Sequence, residues 1–257
     1  MDKDERVGCG SGTYGFVEQL TRALTLIDLT TGSKPRNAGP GYWITENVLS
    51  ADECNDLVAA LSIYSTKVGR AGARHLMSHP EVAALAMDQR LRGIASDALG
   101  VEAVPYRATL FAKSVQAKWF VVWHQDKTLP LESIFDAPGW GPWSRKAGIA
   151  YANAPTEALS RIIALRVHLD ASTSDNGPLR IVSGSHSMGV MSEEEVLAFA
   201  TGRHYVDCLV SQGGVLAMRP LLMHSSPRAL NKEPRRVIHI EYAESLQLAP
   251  GIRLAIA

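Results

Sequence analysis

An apolar run that ends in His124-Gln125-Asp126 places the strongest constraint on how this chain can fold. The run, Trp119 to Trp123, has the composition of a β-strand. Because residues two positions apart on a strand point to the same side, an imidazole and a carboxylate are directed at one point in space. One more histidine, delivered from elsewhere in the sequence, completes a set of two histidines and one carboxylate.

His224 is the best candidate for that second histidine. It follows another apolar strand, Val215–Met218, after a turn at Pro220. Two histidines and one carboxylate on one face of a metal leave the other coordination positions open, which is typical of non-haem Fe(II) oxygenases. The wide separation in sequence suits two strands that are brought together by a barrel. We therefore expect His124, Asp126 and His224 to be the metal ligands and the catalytic residues.

Two adjacent arginines at the start of the last strand provide a candidate anion site. A keto acid that chelates Fe(II) leaves its far carboxylate in need of a partner, and arginine offers a fixed bidentate fork. Arg235 shares its strand face with His239 and Glu241, and a metal-lined interior tolerates polar groups. We favour Arg235 as the anchor and expect Arg236 to be a surface or structural residue.

The order of predicted elements indicates a mainly β fold with helices on its outside. Ser50 opens a helix with capping-box spacing, and a second helical region covers about 80–99. Short strands follow from about Tyr106, and the clearest are Ile162–Asp170, Leu179–Val182, Val215–Met218 and Arg235–Tyr242. This order is typical of a β-sandwich or barrel with flanking helices.

The chain is expected to consist of an N-terminal extension and one larger domain. Residues 1–40 are partly irregular, and residues 41–257 are expected to form a single domain. Residues 127–158 form a lid-like insertion with little periodicity, and loops of this length are usually functional or mobile. Two alternatives are open for this insertion: a lid over the site, or a surface loop that packs Trp140 and Trp143 on a sheet.

The composition excludes several classes of protein. Lys plus Arg and Asp plus Glu number 26 each, so neither nucleic acid nor an anionic membrane is an expected partner. Three cysteines without Cys-x-x-Cys spacing argue against a disulfide framework and a zinc–thiolate site. The sequence has neither an apolar signal core nor a membrane-spanning stretch, so we expect a soluble cytoplasmic protein, either a monomer or a homodimer.

These motifs resemble the phytanoyl-CoA dioxygenase (PhyH) family of Fe(II)/2-oxoglutarate-dependent oxygenases, and its bacterial members in particular. The matching segments are Trp123-His124-Gln125-Asp126, Asp170 through Asp175-Asn176-Gly177-Pro178-Leu179-Arg180 to Gly184-Ser185-His186, His224-Ser225-Ser226, and Pro234-Arg235-Arg236-Val237-Ile238-His239. Tyr42 through Leu61 also resembles the family's opening strand and helix. The similarity covers residues 41–245.

The resemblance implies a double-stranded β-helix, or jelly roll, with iron held by His124, Asp126 and His224. It implies that Arg235 binds 2-oxoglutarate, with the Ser226 hydroxyl as a second contact. Lys113 matches a lysine often present in bacterial members, and we include it among the cofactor-binding residues. The implied enzyme uses Fe(II), 2-oxoglutarate and O2 to oxidise a C–H bond, with release of succinate and CO2. Related iron halogenases lack the carboxylate of Asp126, so its presence favours hydroxylation or a related oxidation, such as desaturation or ring closure.

The substrate is expected to be a small molecule, with natural-product biosynthesis as the preferred context. Trp140 and Arg166 are the candidate substrate contacts, although an ion pair with a nearby carboxylate is the competing interpretation of Arg166. Other functions remain open: a free amino acid hydroxylase, a cupin-like metal lyase or isomerase that does not use 2-oxoglutarate, and a binding domain without catalytic activity.

Overall fold

A computed structural model describes residues 39–65, 72–113 and 120–257. The expected N-terminal extension lies almost entirely outside the described residues. Trp119, at the start of the strand predicted before His124, also lies outside them. The α-helices in the described part are α1 Ala51–Ala60, α2 Ser62–Ser65, α3 Pro80–Ala86, α4 Gln89–Leu99, α5 Thr156–Leu159 and α6 Glu193–Ala200. Two 3-10 helices cover Leu76–Ser78 and Ser185–Met188.

Two antiparallel sheets form a jelly roll, which confirms the predicted fold class. The strands of the described residues are β1 Tyr42–Thr45, β2 Ala73–Arg74, β3 Val104–Lys113, β4 Val121–His124, β5 Thr128–Leu131, β6 Trp143–Lys146, β7 Ile149–Asn153, β8 Ile162–His168, β9 Leu179–Ile181, β10 Val206–Cys208, β11 Val215–Met218, β12 His224–Ser226, β13 Arg235–Ala243, β14 Gln247–Ala249 and β15 Ile252–Arg253. The larger sheet has the order β1-β11-β8-β13-β3-β2, and the smaller has the order β10-β9-β12-β4.

Side chains alternate along β8, so one face of the strand packs in the main hydrophobic core and the other faces the opposite side of the sheet. Ile163, Leu165 and Val167 belong to the main core cluster, which the larger sheet forms with α1, α3 and α4. Burial of each of these side chains contributes roughly 1.5–3 kcal/mol. Ala164 faces the other way and packs with residues of β9, β10 and β11, while Arg166 on the same face lines a cavity. The helices therefore cover the outside of the larger sheet, and the cavity lies on its inner side.

The helical region predicted at 80–99 is two helices rather than one. The carboxylate of Asp88 accepts a 2.8 Å hydrogen bond from the backbone N–H of Arg90 and begins α4 as a new helix. Short polar side chains favour such caps because they compete with the helical backbone for hydrogen bonds. Gly100 ends α4 with a φ of 72°, and Ser50 forms the predicted capping box at the start of α1.

The insertion at residues 127–158 is structured, which corrects the expectation of a loop without periodicity. It contains β5, β6 and β7, paired as an antiparallel sheet in the order β5-β7-β6, and then α5. Phe135 lies edge-on to Trp140 and Trp143, with ring centroids 5.2 Å and 5.0 Å away, and all three pack on a hydrophobic cluster of the main fold. The tryptophans thus anchor the insertion on this cluster. That the insertion closes over the site as a lid stays a prediction.

Two further features describe the setting of these elements. Among the described residues, none of the helices is both long and apolar enough to span a membrane. Cys54 and Cys208 are buried free thiols.

Candidate metal centre and cavity

Strand pairing brings the two predicted histidine ligands together. β4 ends at His124, β12 begins at His224, and the two residues lie directly opposite each other in this antiparallel pair. The centroids of their imidazole rings are 4.1 Å apart. The register of the smaller sheet therefore explains how two residues far apart in sequence face one point.

Asp126 completes a cluster of three potential metal ligands. One carboxylate oxygen lies 3.8 Å from Nε2 of His124, and the other lies 3.6 Å from Nε2 of His224. All three donor atoms lie within 4.8 Å of one another. The backbone N–H of Asp126 donates a 2.9 Å hydrogen bond to the carbonyl of Pro220, which fixes the chain just beyond β4. The three side chains are spaced for one ion between them.

Hydrogen bonds orient both imidazoles toward that point. Nδ1 of His124 lies 2.9 Å from the carbonyl oxygen of Val122, and Nδ1 of His224 lies 2.8 Å from that of Leu222. Because a carbonyl oxygen only accepts, each Nδ1 carries the hydrogen and each Nε2 presents a lone pair. Burial, followed by the nearby His124, lowers the pKa of His224 to about 3, which keeps this imidazole neutral.

The surroundings of Asp126 favour its ionised form. Burial acts to raise the pKa of this carboxyl, but charge interactions with His224 and His124, then with His239 and Arg107, outweigh it and hold the pKa below its usual range. One carboxylate and two imidazoles make a donor set that suits Fe(II) and leaves coordination positions open. The residues present therefore fit a ferrous ion.

The cluster opens into a cavity of about 360 Å³ that residues of both sheets line. One wall is a single face of β3, whose alternating side chains are Arg107, Thr109, Phe111 and Lys113. β13 continues this wall, because its register places His239 opposite Thr109 and Arg235 opposite Lys113. β8 extends it further with Arg166, which lies opposite His239. The strand register of the larger sheet thus aligns the polar residues of the cavity across neighbouring strands.

Arg235 lies at one end of the cavity, and most of its guanidinium has no partner. Nη2 donates to Oγ of Ser226 at 3.3 Å, whereas Nε and Nη1 are buried without a hydrogen-bond partner among the described residues. Burial, followed by the nearby Arg166, lowers the pKa of Arg235 to about 9. Leaving buried donors unpaired costs free energy. A carboxylate that enters the cavity can accept hydrogen bonds from these two unpaired donors of Arg235.

Lys113 lies beside Arg235 and shares its hydroxyl partner. Its Nζ donates to Oγ of Ser226 at 2.6 Å and to the carbonyl of Pro227 at 2.5 Å. Burial, followed by the charges of Arg235 and Arg166, lowers the pKa of Lys113 to about 7. The three residues predicted to bind 2-oxoglutarate therefore meet at one end of the cavity, which we call the Arg235 pole (Lys113, Ser226 and Arg235).

Arg236 points away from this pole and pairs with Asp170. Its backbone N–H donates to Oδ2 at 2.8 Å, its Nε donates to Oδ2 at 2.7 Å, and its Nη2 donates to Oδ1 at 2.6 Å. This bidentate ion pair ties β13 to the end of β8. Arg236 is not among the residues that line the cavity.

The two candidate substrate contacts occupy different places. Arg166 lines the cavity, where Nη1 lies 3.2 Å from Nδ1 of His239 and the guanidinium carbon lies 5.3 Å from the centroid of the Phe111 ring. No carboxylate forms an ion pair with it among the described residues, so the ion pair considered for it is not found there. Trp140 packs on Phe135 outside the cavity lining. Substrate contact by either residue stays a prediction.

Several cavity residues were not predicted from the sequence, among them Arg74, Arg107, Lys146 and Tyr151. The alternation of polar and aromatic residues along β3 was a usable signal for Arg107, since its face also carries Lys113. No comparable pattern marks the other three, because they come from the short strands β2, β6 and β7, and β2 lies far before the other two in the sequence.

Comparisons with known proteins agree with this architecture. Residues 39–237 match the family model for phytanoyl-CoA dioxygenase (PhyH). No curated protein matches the chain in sequence. The crystal structure of AviO1 from Streptomyces viridochromogenes Tue57 superposes with a TM-score of 0.60 at 23% identity, covering 81% of this chain and 91% of that one.

Two further crystal structures contain bound molecules. HygX from Streptomyces hygroscopicus, with nickel, 2-oxoglutarate and hygromycin B bound, gives a TM-score of 0.58 at 19% identity, covering 79% of this chain and 83% of that one. EctD from S. alaskensis, with 2-oxoglutarate and 5-hydroxyectoine, gives a TM-score of 0.58 at 21% identity, covering 79% of this chain and 72% of that one. At these identities the likeness shows the fold. Since the family model spans most of the sequence, the chain belongs to the phytanoyl-CoA dioxygenase (PhyH) family and is an Fe(II)/2-oxoglutarate-dependent dioxygenase.

Proposed function

We propose that this enzyme oxidises an unactivated C–H bond of a small molecule, with hydroxylation as the favoured outcome, and releases succinate and CO2. The observation that carries the proposal is the convergence of His124, Asp126 and His224 on one point in a cavity that also holds a buried, largely unpartnered Arg235. Natural-product biosynthesis is the context that we favour.

The proposed roles follow from the geometry of each group. The two imidazoles present Nε2 lone pairs and Asp126 presents a carboxylate, so these three side chains bind the iron. Arg235 grips the far carboxylate of 2-oxoglutarate, with Ser226 and Lys113 beside it. O2 is the oxidant of the reaction; bound iron would activate it, and 2-oxoglutarate would donate two electrons as it is converted into succinate and CO2. The cavity walls position the substrate and limit the entry of water.

The size of the cavity supports a small substrate. Pockets that bind small molecules typically have volumes of about 300–1,000 Å³. The volume here, about 360 Å³, has to hold both 2-oxoglutarate and the reacting part of the substrate. The structural relatives HygX and EctD were crystallised with hygromycin B and 5-hydroxyectoine respectively, and these ligands are also small molecules.

Succinate release tests the proposal. Protein loaded anaerobically with Fe(II) is mixed with 2-oxoglutarate and pools of small molecules, then exposed to O2, and succinate and products are measured by mass spectrometry. We expect one pool to raise succinate above the level without substrate and to yield a product that is heavier by one oxygen atom. Arg235→Ala should lose this activity. A product that forms without 2-oxoglutarate, and equally in Arg235→Ala, would show a lyase or isomerase instead.

A further inference from the structure

The cavity is far more basic than the protein as a whole. Among the described residues, Asp126 is the only carboxylate in the lining, whereas seven lining residues are arginine or lysine: Arg74, Arg107, Lys113, Lys127, Lys146, Arg166 and Arg235. The full chain, in contrast, has a formal net charge of zero. One ferrous ion with one 2-oxoglutarate adds no net charge to this space. The lining therefore remains strongly positive when both are bound.

Two of these cations form no ion pair and no side-chain hydrogen bond in the part of the chain that the structure describes. Arg107 forms an ion pair with Glu241 and donates to the carbonyl of Thr128 at 2.8 Å. Nζ of Lys127 donates to the carbonyl of Met191 at 2.7 Å. Arg74 and Lys146 have neither an ion pair nor a side-chain hydrogen bond there, and both line the cavity.

Lys146 contacts the ring of Tyr151, and Arg74 precedes the histidine that is bonded to the hydroxyl of that tyrosine. Nζ of Lys146 lies 4.7 Å from the centroid of the Tyr151 ring. The hydroxyl of Tyr151 lies 2.8 Å from Nε2 of His75, the residue that follows Arg74, and the two rings are stacked with centroids 6.1 Å apart. We call Arg74, His75, Lys146 and Tyr151 the Tyr151 cluster. It brings together two cations that have no carboxylate partner among the described residues and a tyrosine that a hydrogen bond holds in place.

The directions of the pKa shifts agree with this placement, because the charges of the cluster lower the pKa values of neighbouring basic groups. Burial, followed by the charges of Arg74 and Arg107, lowers the pKa of Lys146. Burial, followed by Arg74, Arg107 and Lys146, lowers the pKa of His75. Like charges held this close repel one another, and an anion between them relieves the repulsion.

The Tyr151 cluster and the Arg235 pole are too far apart for one co-substrate to fill both. Arg74 of the cluster lies opposite Thr109 on β3, four residues from Lys113 of the pole, a separation of about 13 Å at roughly 3.3 Å per residue. The five-carbon chain of 2-oxoglutarate is much shorter than that. The candidate metal ligands His124, Asp126 and His224 line the same cavity as Arg74, Lys146 and Arg235.

We propose that the substrate of this enzyme carries an oxyanion, a carboxylate or a phosphate, which binds between Arg74 and Lys146 beside Tyr151. The inference deepens the proposed function and rests on it, because it assigns the Arg235 pole to 2-oxoglutarate. Anchoring at the Tyr151 cluster holds one end of the substrate and presents the rest of the molecule to the metal. Such an anchor selects acids over their neutral analogues and excludes polycations.

Saturation-transfer NMR with propionate as a minimal carboxylate probe tests this site. The protein is loaded anaerobically with Fe(II) and saturated with 2-oxoglutarate, and propionamide serves as the matched neutral probe. We expect saturable propionate binding that 2-oxoglutarate does not displace, with little signal from propionamide. The double variant Arg74→Gln/Lys146→Gln should raise the Kd for propionate at least tenfold.

Two control variants make the result decisive. Arg74→Lys/Lys146→Arg keeps both charges and should keep propionate binding, and so should Lys232→Gln, which removes an exposed lysine outside the cavity. Displacement of propionate by 2-oxoglutarate, or equal binding to the wild type and to Arg74→Gln/Lys146→Gln, would overturn the proposal. Calorimetry of 2-oxoglutarate with the same proteins separates the two claims: no binding to the wild type defeats the proposed function, whereas normal binding with unchanged propionate affinity defeats only the anion site.

Discussion

Arg235 and Arg236 show how neighbouring residues on a strand take on different tasks. Side chains alternate across the sheet, so Arg235 faces the cavity and Arg236 faces Asp170. The sequence favoured Arg235 as the anchor because His239 and Glu241 share its face. The structure adds that its Nε and Nη1 have no partner among the described residues.

Replacement of Arg235 with alanine is expected to weaken the binding of 2-oxoglutarate by about 2–3 kcal/mol, or roughly 30- to 150-fold. The reason is that a buried carboxylate loses its charged hydrogen-bonding partner. Calorimetric titration of 2-oxoglutarate into the anaerobic Fe(II) protein measures the change.

Arg236→Ala is the matched control for that titration. It leaves the partly buried Asp170 without its bidentate partner, so we expect a loss of about 1–3 kcal/mol in the free energy of unfolding. The affinity for 2-oxoglutarate should stay within about twofold of the wild type, since Arg236 lies outside the cavity lining. Equal losses of affinity in the two variants would contradict the assignment.

Lys113 should make the binding of 2-oxoglutarate depend on pH. Its pKa is lowered to about 7, and a carboxylate bound beside it raises that pKa again. At pH 8 the free protein holds a largely neutral amine, so binding takes up a proton and the affinity falls as the pH rises further. At pH 6 the amine is already charged and the uptake disappears. Calorimetry in buffers with different ionisation enthalpies measures this uptake, which Lys113→Met should abolish; an unchanged uptake in that variant would rule out Lys113 as its source.

At the scale of elements, sequence reasoning succeeded where one local pattern decides the structure. The strand at Val215–Met218 and the capping box at Ser50 follow from alternation and from a short hydrogen-bonding motif. It located the helical region at 80–99 but not its division at Asp88, because the apolar pattern continues across both helices. It failed for the insertion, because β5, β6 and β7 are four or five residues long and their connections contain proline and glycine.

Gln125 links the strand that carries the metal ligands to the loop before α6. Its Nε2 donates to the carbonyls of Gly189 at 2.8 Å and Leu221 at 3.0 Å, and its Oε1 accepts from the backbone N–H of Met191 at 2.9 Å. No sequence pattern indicates this link, because the partners of Gln125 come from two distant loops. Gln125 therefore fixes the backbone between His124 and Asp126.

Gln125→Ala is expected to lower the free energy of unfolding by about 2–4 kcal/mol, because three backbone groups lose their partner. Thermal unfolding should show a Tm lower by roughly 4–16 °C. Gln212→Ala is the control, since this side chain makes a single 3.1 Å hydrogen bond to the carbonyl of Leu169, and a loss below about 1.5 kcal/mol is expected. A Tm for Gln125→Ala that equals the wild-type value would mean that this link carries no stability.

At the scale of the whole molecule, the amino-acid composition does not reveal where the charged residues lie in the fold. Equal numbers of acidic and basic residues gave no reason to expect an anionic macromolecule as partner. They also gave no sign that seven basic side chains line one cavity, because they come from several strands that only the fold brings together. The metal cluster was different: spacing along one strand identified two ligands, and only strand pairing was needed to supply the third.

The most direct test of the central claim is the visible absorption spectrum of the protein with Fe(II) and 2-oxoglutarate under anaerobic conditions. If His124, Asp126 and His224 hold the iron and 2-oxoglutarate chelates it, a weak metal-to-ligand charge-transfer band should appear in the wild type. The band should be absent in a folded His224→Ala variant. A well-folded wild type that gives no band, or a band that persists unchanged in His224→Ala, would contradict the account.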